Sequence, residues 1–163
     1  MRFYGLANAK ELESAILATV AALGGGSKAV CLMLGTCAAE SNLGKARDNY
    51  KKSGYGLFQF DQIAIKDVIA RTRPDRKQFI DERFGIDIDD VVPSDLNYSP
   101  LLSALFCRLH YLLVPESIPD TIEGRAKYWK KYYNTEAGKG TPDHYLKQSE
   151  QLFNSDLYNA VSD

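Results

Sequence analysis

The amino-acid sequence predicts one mainly α, or α+β, domain with about seven helices and a short β-hairpin or extended segment. Apolar residues recur at helical spacing over most of the 163 residues, and several stretches open with a helix-capping pattern. Turn formers and β-favouring aromatic residues are concentrated in 41–61. No internal repeat or interdomain linker interrupts the pattern, so we expect a single domain over 1–163.

The first two predicted helices differ in their apolar surfaces. The first begins at the N-cap residue Asn8, and Glu11 follows three residues later as a capping-box partner. Gly24-Gly25-Gly26 ends this helix, and Ser27 is the expected cap of the next. The second helix, roughly 28–40, is apolar on almost all sides, which predicts a central buried position.

The middle of the chain is predicted to be a loop with a short hairpin, then two helices and a second loop. The hairpin lies within 41–61, and the helices cover about 62–72 and 75–84, the latter ended by Gly85. The acidic stretch 86–98 is expected to be an irregular surface loop, because it lacks the glycine and terminal glutamate of a calcium-binding loop.

Three more helices are predicted in the second half of the chain. Ser99-Pro100 combines a cap with a first-turn proline, and Asp120-Thr-Ile-Glu123 is a capping-box pattern that opens a helix to about Tyr133. Thr141-Pro142 starts the final helix. The residues of that helix expected to face inward are Tyr145, Leu146, Leu152 and Phe153.

Charge and cysteine content narrow the possible functions. A net charge of −1 leaves no electrostatic footprint for nucleic acid, and no apolar run reaches membrane-spanning length, so we expect neither partner. Cys31, Cys37 and Cys107 have neither redox-pair nor zinc-ligand spacing. We expect buried free thiols, no bound metal and no cofactor.

Glu40 is the candidate catalytic residue. It ends the apolar run of the second helix, where a carboxyl loses solvation and faces the negative end of the helix dipole. Both effects raise its pKa. A carboxylic acid that keeps its proton near neutral pH is what cleavage of a glycosidic bond requires. The alternative is a glutamate that simply caps a surface helix.

Two further segments carry polar residues suited to a sugar site. Gly56-Leu57-Phe58-Gln59 ends nineteen residues after Glu40, and Gln59 offers a donor and an acceptor to sugar hydroxyl or acetamido groups. A core-packed hairpin is the alternative, and we expect Phe58 to be in the core. In the segment 132–140, a tyrosine at a helix end can hydrogen-bond a carboxyl, or the segment is only a helix C-cap with a glycine turn.

Taken in order, Glu-Ser, Gly-Leu-x-Gln and Tyr-Asn-x-x-x-Gly-x-Gly resemble the lytic transglycosylase and goose-type lysozyme branch of the lysozyme superfamily, over about 28–150. The resemblance implies a lysozyme-like fold and cleavage of the MurNAc–GlcNAc β-1,4 bond of peptidoglycan, with Glu40 as the acid. It also implies that Gln59 lines the sugar cleft and that Tyr133 with Asn134 supports Glu40. The substrate-binding residues expected on this basis are Ser41, Tyr55, Gln59, Tyr133 and Asn134.

The product of the reaction depends on a second carboxylate. An inverting hydrolase needs one about 6.5–9.5 Å from the acid, whereas in a lytic transglycosylase the 6-hydroxyl of the sugar attacks and the same glutamate acts as base. Asp48 and Asp61 are the candidates. A turn residue and a helix cap, respectively, are their alternative roles, so both products stay open.

The histidines and aromatic residues have structural interpretations. His110 lies between apolar residues and is expected to be a satisfied core residue, while His144 lies on a polar helix. Trp129 and the tyrosines around it could stack on sugar faces, but at helical spacing some of them must be in the core.

The stretch 126–141 is similar to a run in bacteriophage lysozyme-like proteins, which implies a virion-borne enzyme or an endolysin of phage origin. Peptidoglycan glycan strands are then the expected partner, with virion or lysis-system proteins as further ones. The N-terminus has no hydrophobic signal core, so we expect synthesis in the bacterial cytoplasm and action in the periplasm or cell wall after delivery by a virion or holin-type release. The alternative function is a catalytically silent glycan-binding or structural component of a virion or secretion assembly.

Overall fold

Helices make up most of the chain in the computed structural model, which describes residues 1–47, 54–135 and 138–162. The prediction of a mainly helical domain is confirmed. The α-helices in these residues are α1 (Ala9–Leu23), α2 (Gly26–Ser41), α3 (Gln62–Arg71), α4 (Pro74–Phe84), α5 (Pro100–Leu112), α6 (Ile122–Trp129), α7 (Pro142–Ser149) and α8 (Asp156–Val161). The predicted final helix is in fact α7, a 3-10 turn over Glu150–Asn154 and the separate short helix α8.

Helix α2 runs through the centre of the domain, as its apolar sequence predicts. Every residue from Ala29 to Ala38 is buried, and the helix contacts α1, α5, α6, α7 and α8. Removal of this apolar surface from water is the main contribution of the helix to stability. Burial becomes partial only in the last turn, at Ala39 and Glu40.

The contact between α2 and α7 depends on Gly35 in the middle of α2. A Cβ at this position would overlap the phenol group of Tyr145, which is 1% exposed. The absence of a side chain therefore lets α7 approach α2 closely and lets the Tyr145 ring fill the space between them.

Three predicted helix starts are confirmed by side-chain caps. Each capping oxygen accepts a hydrogen bond from the backbone N–H three residues later, at 3.0 to 3.1 Å. The capping residues are Asn8 for α1, Ser99 for α5 and Thr141 for α7.

Two predicted caps are wrong. Helix α2 begins at Gly26, with Gly25 as N-cap at a φ of 114°, so Ser27 already lies in the first turn. Glycine adopts this backbone conformation without strain, which allows the earlier start. Helix α6 is capped by Thr121 rather than Asp120, and the Asp120 carboxylate pairs with Lys28 at 2.7 Å.

The predicted hairpin is, within the described residues, a tight turn closed by one antiparallel bridge. Tyr55 and Phe60 exchange two backbone hydrogen bonds of 2.8 and 3.0 Å. Leu57 and Phe58 within the turn are fully buried, as expected for Phe58. The apolar residues of the turn thus anchor it to the core, and its polar residues lie outside that core.

The acidic stretch before α5 contains no α-helix, in agreement with the predicted irregular loop. It forms two 3-10 turns, Ile88–Asp90 and Pro93–Asn97, and the side chains of Ile88 and Leu96 are fully buried. These two side chains hold the loop against the core. Gly85 ends α4 at a φ of 69°, as predicted.

The three cysteines are free and buried, which confirms that prediction. Phe153 is half exposed, so the prediction that it faces inward is wrong; the chain has left α7 for the 3-10 turn by that point, and the helical register no longer applies. Among the described residues, no helix combines the length and the apolar character needed to cross a bilayer.

Candidate active site

Glu40 lies in the last turn of α2, beside a surface groove of about 380 Å³. The preceding residues of the helix are buried, whereas the Glu40 side chain is partly exposed. The helix ends at Ser41, and Asn42 follows with a left-handed φ of 51°, so the chain turns away directly after the acid. The carboxyl therefore sits at the boundary between the core and the groove.

Residues from four segments of the chain line this groove, and three of these segments carry the sequence motifs. The end of α2 contributes Ala39 and Glu40, and the tight turn and its flanks contribute Gly54, Gln59 and Asp61. The end of α6 and the loop after it contribute Trp129, Asn134, Gly138, Lys139 and Gly140. The first turn of α7 adds His144.

Burial raises the pKa of the Glu40 carboxyl to about 7, because the surrounding protein disfavours the charged form. Although part of the side chain is exposed, protein atoms surround the carboxyl closely enough for desolvation to dominate. A hydrogen bond from the indole of Trp129 favours the charged form and offsets part of this effect. The predicted increase in pKa is confirmed, and a substantial fraction of Glu40 carries its proton at neutral pH.

Trp129 is the direct partner of Glu40, a role that the sequence did not reveal. Its Nε1–H donates to Oε2 of Glu40 at 3.0 Å, and its side chain is 1% exposed. The indole packs against Tyr145, with ring centroids 5.7 Å apart, and against Gly140, where a Cβ would overlap the six-membered ring. The ring is therefore held in one orientation.

Gln59 adopts a left-handed backbone conformation with a φ of 49° at the end of the tight turn. Its Nε2 donates to the Tyr4 hydroxyl at 2.9 Å and to the Gly56 carbonyl oxygen at 2.8 Å. A side chain at Gly54 would overlap the Gln59 amide, so a glycine is needed there. These contacts fix the orientation of the amide at the groove.

The hydroxyl of Tyr133 donates to the Phe58 carbonyl oxygen at 2.6 Å, rather than to Glu40. The support that the resemblance implied from Tyr133 is therefore supplied by Trp129. The physical reason is a change of helical register, because α6 continues after Trp129 as a π-helical turn over Lys130–Asn134. Tyr133 instead ties this turn to the segment that carries Gln59.

Asn134 lines the groove but is not a direct partner of Glu40 either. Its Oδ1 accepts a hydrogen bond from the Lys130 ammonium at 2.8 Å. The same ammonium donates to the carbonyl oxygens of Thr135 and Gly138, at 2.8 and 3.0 Å. Asn134 thus helps to hold the loop that forms one wall of the groove.

Two expected substrate-binding residues are not groove residues. Ser41 is buried, and its hydroxyl donates to the Leu57 carbonyl oxygen at 2.7 Å and accepts from the Gly44 N–H at 3.0 Å. It joins the end of α2 to the tight turn. Tyr55 packs against the main hydrophobic core. Both side chains therefore help to hold the site together and do not line the groove.

Asp61 lines the groove and also caps α3, where its Oδ1 accepts from the Ala64 N–H at 2.6 Å. Both interpretations of this residue from the sequence are therefore compatible with its position. Asp48, the other candidate for a second carboxylate, lies outside the described residues.

The two histidines differ in position. His110 is partly buried, its Nε2 lies 2.8 Å from the Tyr132 carbonyl oxygen, and burial lowers its pKa, in agreement with a hydrogen-bonded structural residue. His144 lines the groove, with Nε2 2.9 Å from the Ala39 carbonyl oxygen, and was missed. The available signal was the Thr141 cap, which places His144 in the first turn of α7, directly after the glycine-containing loop.

Among the described residues, no group of histidine, cysteine and acidic side chains is arranged to hold a metal ion. No family model, curated protein or solved structure matches this chain.

Proposed function

We propose that this protein cleaves the glycan strands of bacterial peptidoglycan at the β-1,4 bond between MurNAc and GlcNAc, within a lysozyme-like fold and with Glu40 as general acid. The observation that carries this proposal is a convergence: three segments far apart in the chain meet at one groove around a partly buried carboxyl. They are the same segments whose sequence resembles the motifs of lytic transglycosylases and goose-type lysozymes.

The protonation state of Glu40 supports the role of acid. With a pKa of about 7, the carboxyl keeps its proton at the pH at which an ordinary glutamate has lost it. In the proposed reaction it donates that proton to the bridging oxygen as the glycosidic bond breaks. In transglycosylation the resulting carboxylate then accepts a proton from the attacking 6-hydroxyl of the sugar. In inverting hydrolysis a second carboxylate takes the proton from the attacking water.

The polar walls of the groove support a sugar substrate. The Nε2 of Gln59 is already engaged in two hydrogen bonds, so its Oε1 is the amide atom that would accept from a sugar hydroxyl or acetamido N–H. Lys139 also lines the groove and offers donors to sugar oxygens. The glycan backbone of peptidoglycan, which is rich in hydroxyl and acetamido groups, could hydrogen-bond to these polar walls.

The decisive experiment is clearance of purified peptidoglycan sacculi by the wild type and by Glu40→Gln. Because the amide cannot supply the proton, we expect the initial rate to fall by roughly 10²–10⁴-fold. The matched control is Glu123→Gln, which makes the same chemical change at an exposed residue in the first turn of α6, outside the groove. It should clear the wall at the wild-type rate.

The products and the binding data separate the remaining possibilities. Anhydro-sugar ends identify a transglycosylase, and new reducing ends identify a hydrolase. Equal rates for the wild type and Glu40→Gln would end the assignment of the acid. Wall binding without release of either kind of end would favour the catalytically silent glycan-binding protein.

A further inference from the structure

The hydrogen bond between Trp129 and Glu40 indicates which carboxyl oxygen of Glu40 carries the proton. The indole Nε1–H can donate a hydrogen bond but cannot accept one. The oxygen that it faces must therefore be an acceptor in both protonation states of the acid. At 3.0 Å from Nε1, Oε2 of Glu40 is that oxygen.

A tyrosine hydroxyl in the same place would behave differently. A hydroxyl both donates and accepts, so it could face either a carboxylate oxygen or the O–H of the neutral acid. The Tyr133 hydroxyl donates its hydrogen bond to the Phe58 carbonyl oxygen, so it does not play this part at Glu40. Trp129, by contrast, distinguishes the two oxygens of Glu40.

The surroundings keep the indole from turning away. Trp129 is 1% exposed, and it packs against Tyr145 and Ala126 in a small buried cluster behind the groove. The backbone of Gly140 also approaches the indole so closely that a Cβ there would overlap the six-membered ring. A change in Glu40 protonation therefore has to be accommodated by the carboxyl and not by the indole.

We infer that Trp129 is the positioning residue of the Glu40 acid: its N–H holds Oε2 as the acceptor and so directs the proton of the neutral acid to Oε1. This inference rests on the proposed function for its catalytic meaning. The hydrogen-bond geometry itself can be tested without any catalytic assay, so the two can fail separately.

The chain is suited to a direct spectroscopic test, because Trp129 is its only tryptophan. In an isotope-labelled sample, the indole N–H gives a single cross-peak that needs no assignment by mutation. A hydrogen bond to a carboxylate is stronger than one to a neutral carbonyl, so the proton shift should fall as the acid takes up its proton. We expect one sigmoidal transition with a midpoint at about 7 in a titration over roughly pH 5–9.

Glu40→Gln is the matched reference for the neutral acid, because its side-chain carbonyl can accept from the indole in place of Oε2. Its cross-peak should not titrate, and the wild-type cross-peak at low pH should approach the same position. Other ionisable groups face this pair: His144 and Tyr145 from α7, Cys37 from α2, and Asp61 and Lys139 at the groove. His144→Gln removes the histidine closest to the indole and should leave the transition in place, as should Tyr133→Phe.

Activity gives a second readout. Trp129→Phe keeps an apolar ring but removes the donor, so we expect kcat to fall at least about ten-fold with little change in KM. The alkaline limb of the pH profile should move to higher pH, because a hydrogen bond that favoured the charged form is lost. A purely structural role would lower the melting temperature without moving that limb.

An indole cross-peak that does not titrate, or that titrates equally in Glu40→Gln, overturns the inference. So does a low-pH position typical of an indole without a hydrogen-bond acceptor, because the proton would then lie on Oε2. If the wild type does not cleave peptidoglycan while its indole titrates as expected, the proposed function fails and the positioning role of Trp129 stands.

Discussion

Glu40 is in a position that favours reactivity over stability. A glutamate at the end of a buried helix must either keep its proton or place a negative charge in a poorly solvated site beside the negative end of the helix dipole. The Trp129 N–H offsets only part of this unfavourable interaction, since the pKa remains at about 7. The ionised form is therefore a source of instability in the folded protein.

This instability has a defined dependence on pH. The pKa of Glu40 in the folded protein, about 7, lies above the ordinary glutamate value of 4.5, so the folded state binds the proton more tightly than the unfolded state. The stabilising contribution is complete below the unfolded-state pKa and is lost as the pH rises through the folded-state pKa. Relative to Glu40→Gln, we expect the wild type to lose up to about 3 kcal/mol of unfolding free energy between about pH 5 and pH 8.

Urea denaturation of the wild type and Glu40→Gln at about pH 5 and pH 8 measures this difference in unfolding free energy. The contributions of ionisable groups that both proteins share cancel in the comparison. We expect Glu40→Gln to be the more stable protein at the higher pH. A difference in unfolding free energy that does not change with pH would contradict a raised pKa at Glu40.

At the level of elements, the candidate site is assembled from the ends of helices. Glu40 lies in the last turn of α2 and Trp129 ends α6, while His144 lies in the first turn of α7 and Asp61 caps α3. Helix ends leave backbone groups unpaired, and capping side chains both satisfy these groups and set where the next residues point. The precision of the groove therefore depends on caps and turns more than on any one helix.

Asp61 allows the capping role to be separated from a chemical one. Asparagine caps helices as well as aspartate does, but it carries no charge. We expect Asp61→Asn to keep both the stability of the wild type and, within about three-fold, its cleavage rate. Asp61→Ala should lose about 1 kcal/mol of stability, because the Ala64 N–H loses its acceptor.

Thermal unfolding and sacculus clearance of these two variants provide the measurement. A fall of 10²-fold or more in the cleavage rate of Asp61→Asn, with unchanged stability, would instead identify Asp61 as the second carboxylate of a hydrolase.

For the molecule as a whole, the packing of α7 against α2 connects the core to the groove. The Tyr145 ring lies between Gly35 of α2 and the indole of Trp129, so the same side chain contacts the central helix and supports the partner of Glu40. Displacement of α7 would move His144 and Tyr145 together, because both lie in its first turn. The core and the site are therefore mechanically connected at this point.

A double-mutant cycle tests this connection. Gly35→Ala should destabilise the protein by about 1–3 kcal/mol, because the added methyl group overlaps the Tyr145 phenol group in a close-packed core. In a Tyr145→Phe background the nearest overlapping atom, the hydroxyl oxygen, is gone. We expect Gly35→Ala to cost less there, with a coupling energy of about 0.5–3 kcal/mol from denaturation curves of the four proteins.

Additive effects of the two substitutions would show that α7 adjusts to the methyl group elsewhere. The tight packing of Gly35 against Tyr145 would then not be what sets the position of α7.

Local features of the sequence were sufficient for much of the helical framework. The caps at Asn8, Ser99 and Thr141 act within one turn, so they can be recognised from neighbouring residues. The apolar character of α2 on every side predicted a central position, and the location of an acid at its end favoured a raised pKa. Each of these properties follows from interactions over a few residues or from burial alone.

The partner of Glu40 was decided only by the tertiary structure. The run 128–133 carries aromatic residues on several faces, and the π-helical turn after Trp129 changes which of them faces the acid 89 residues earlier. In the same way, Ser41 is used to join α2 to the tight turn, and His144 reaches the groove through the docking of α7 on α2. Contacts of this kind depend on packing between distant segments, where many arrangements have similar local energies, so only the assembled core selects one of them.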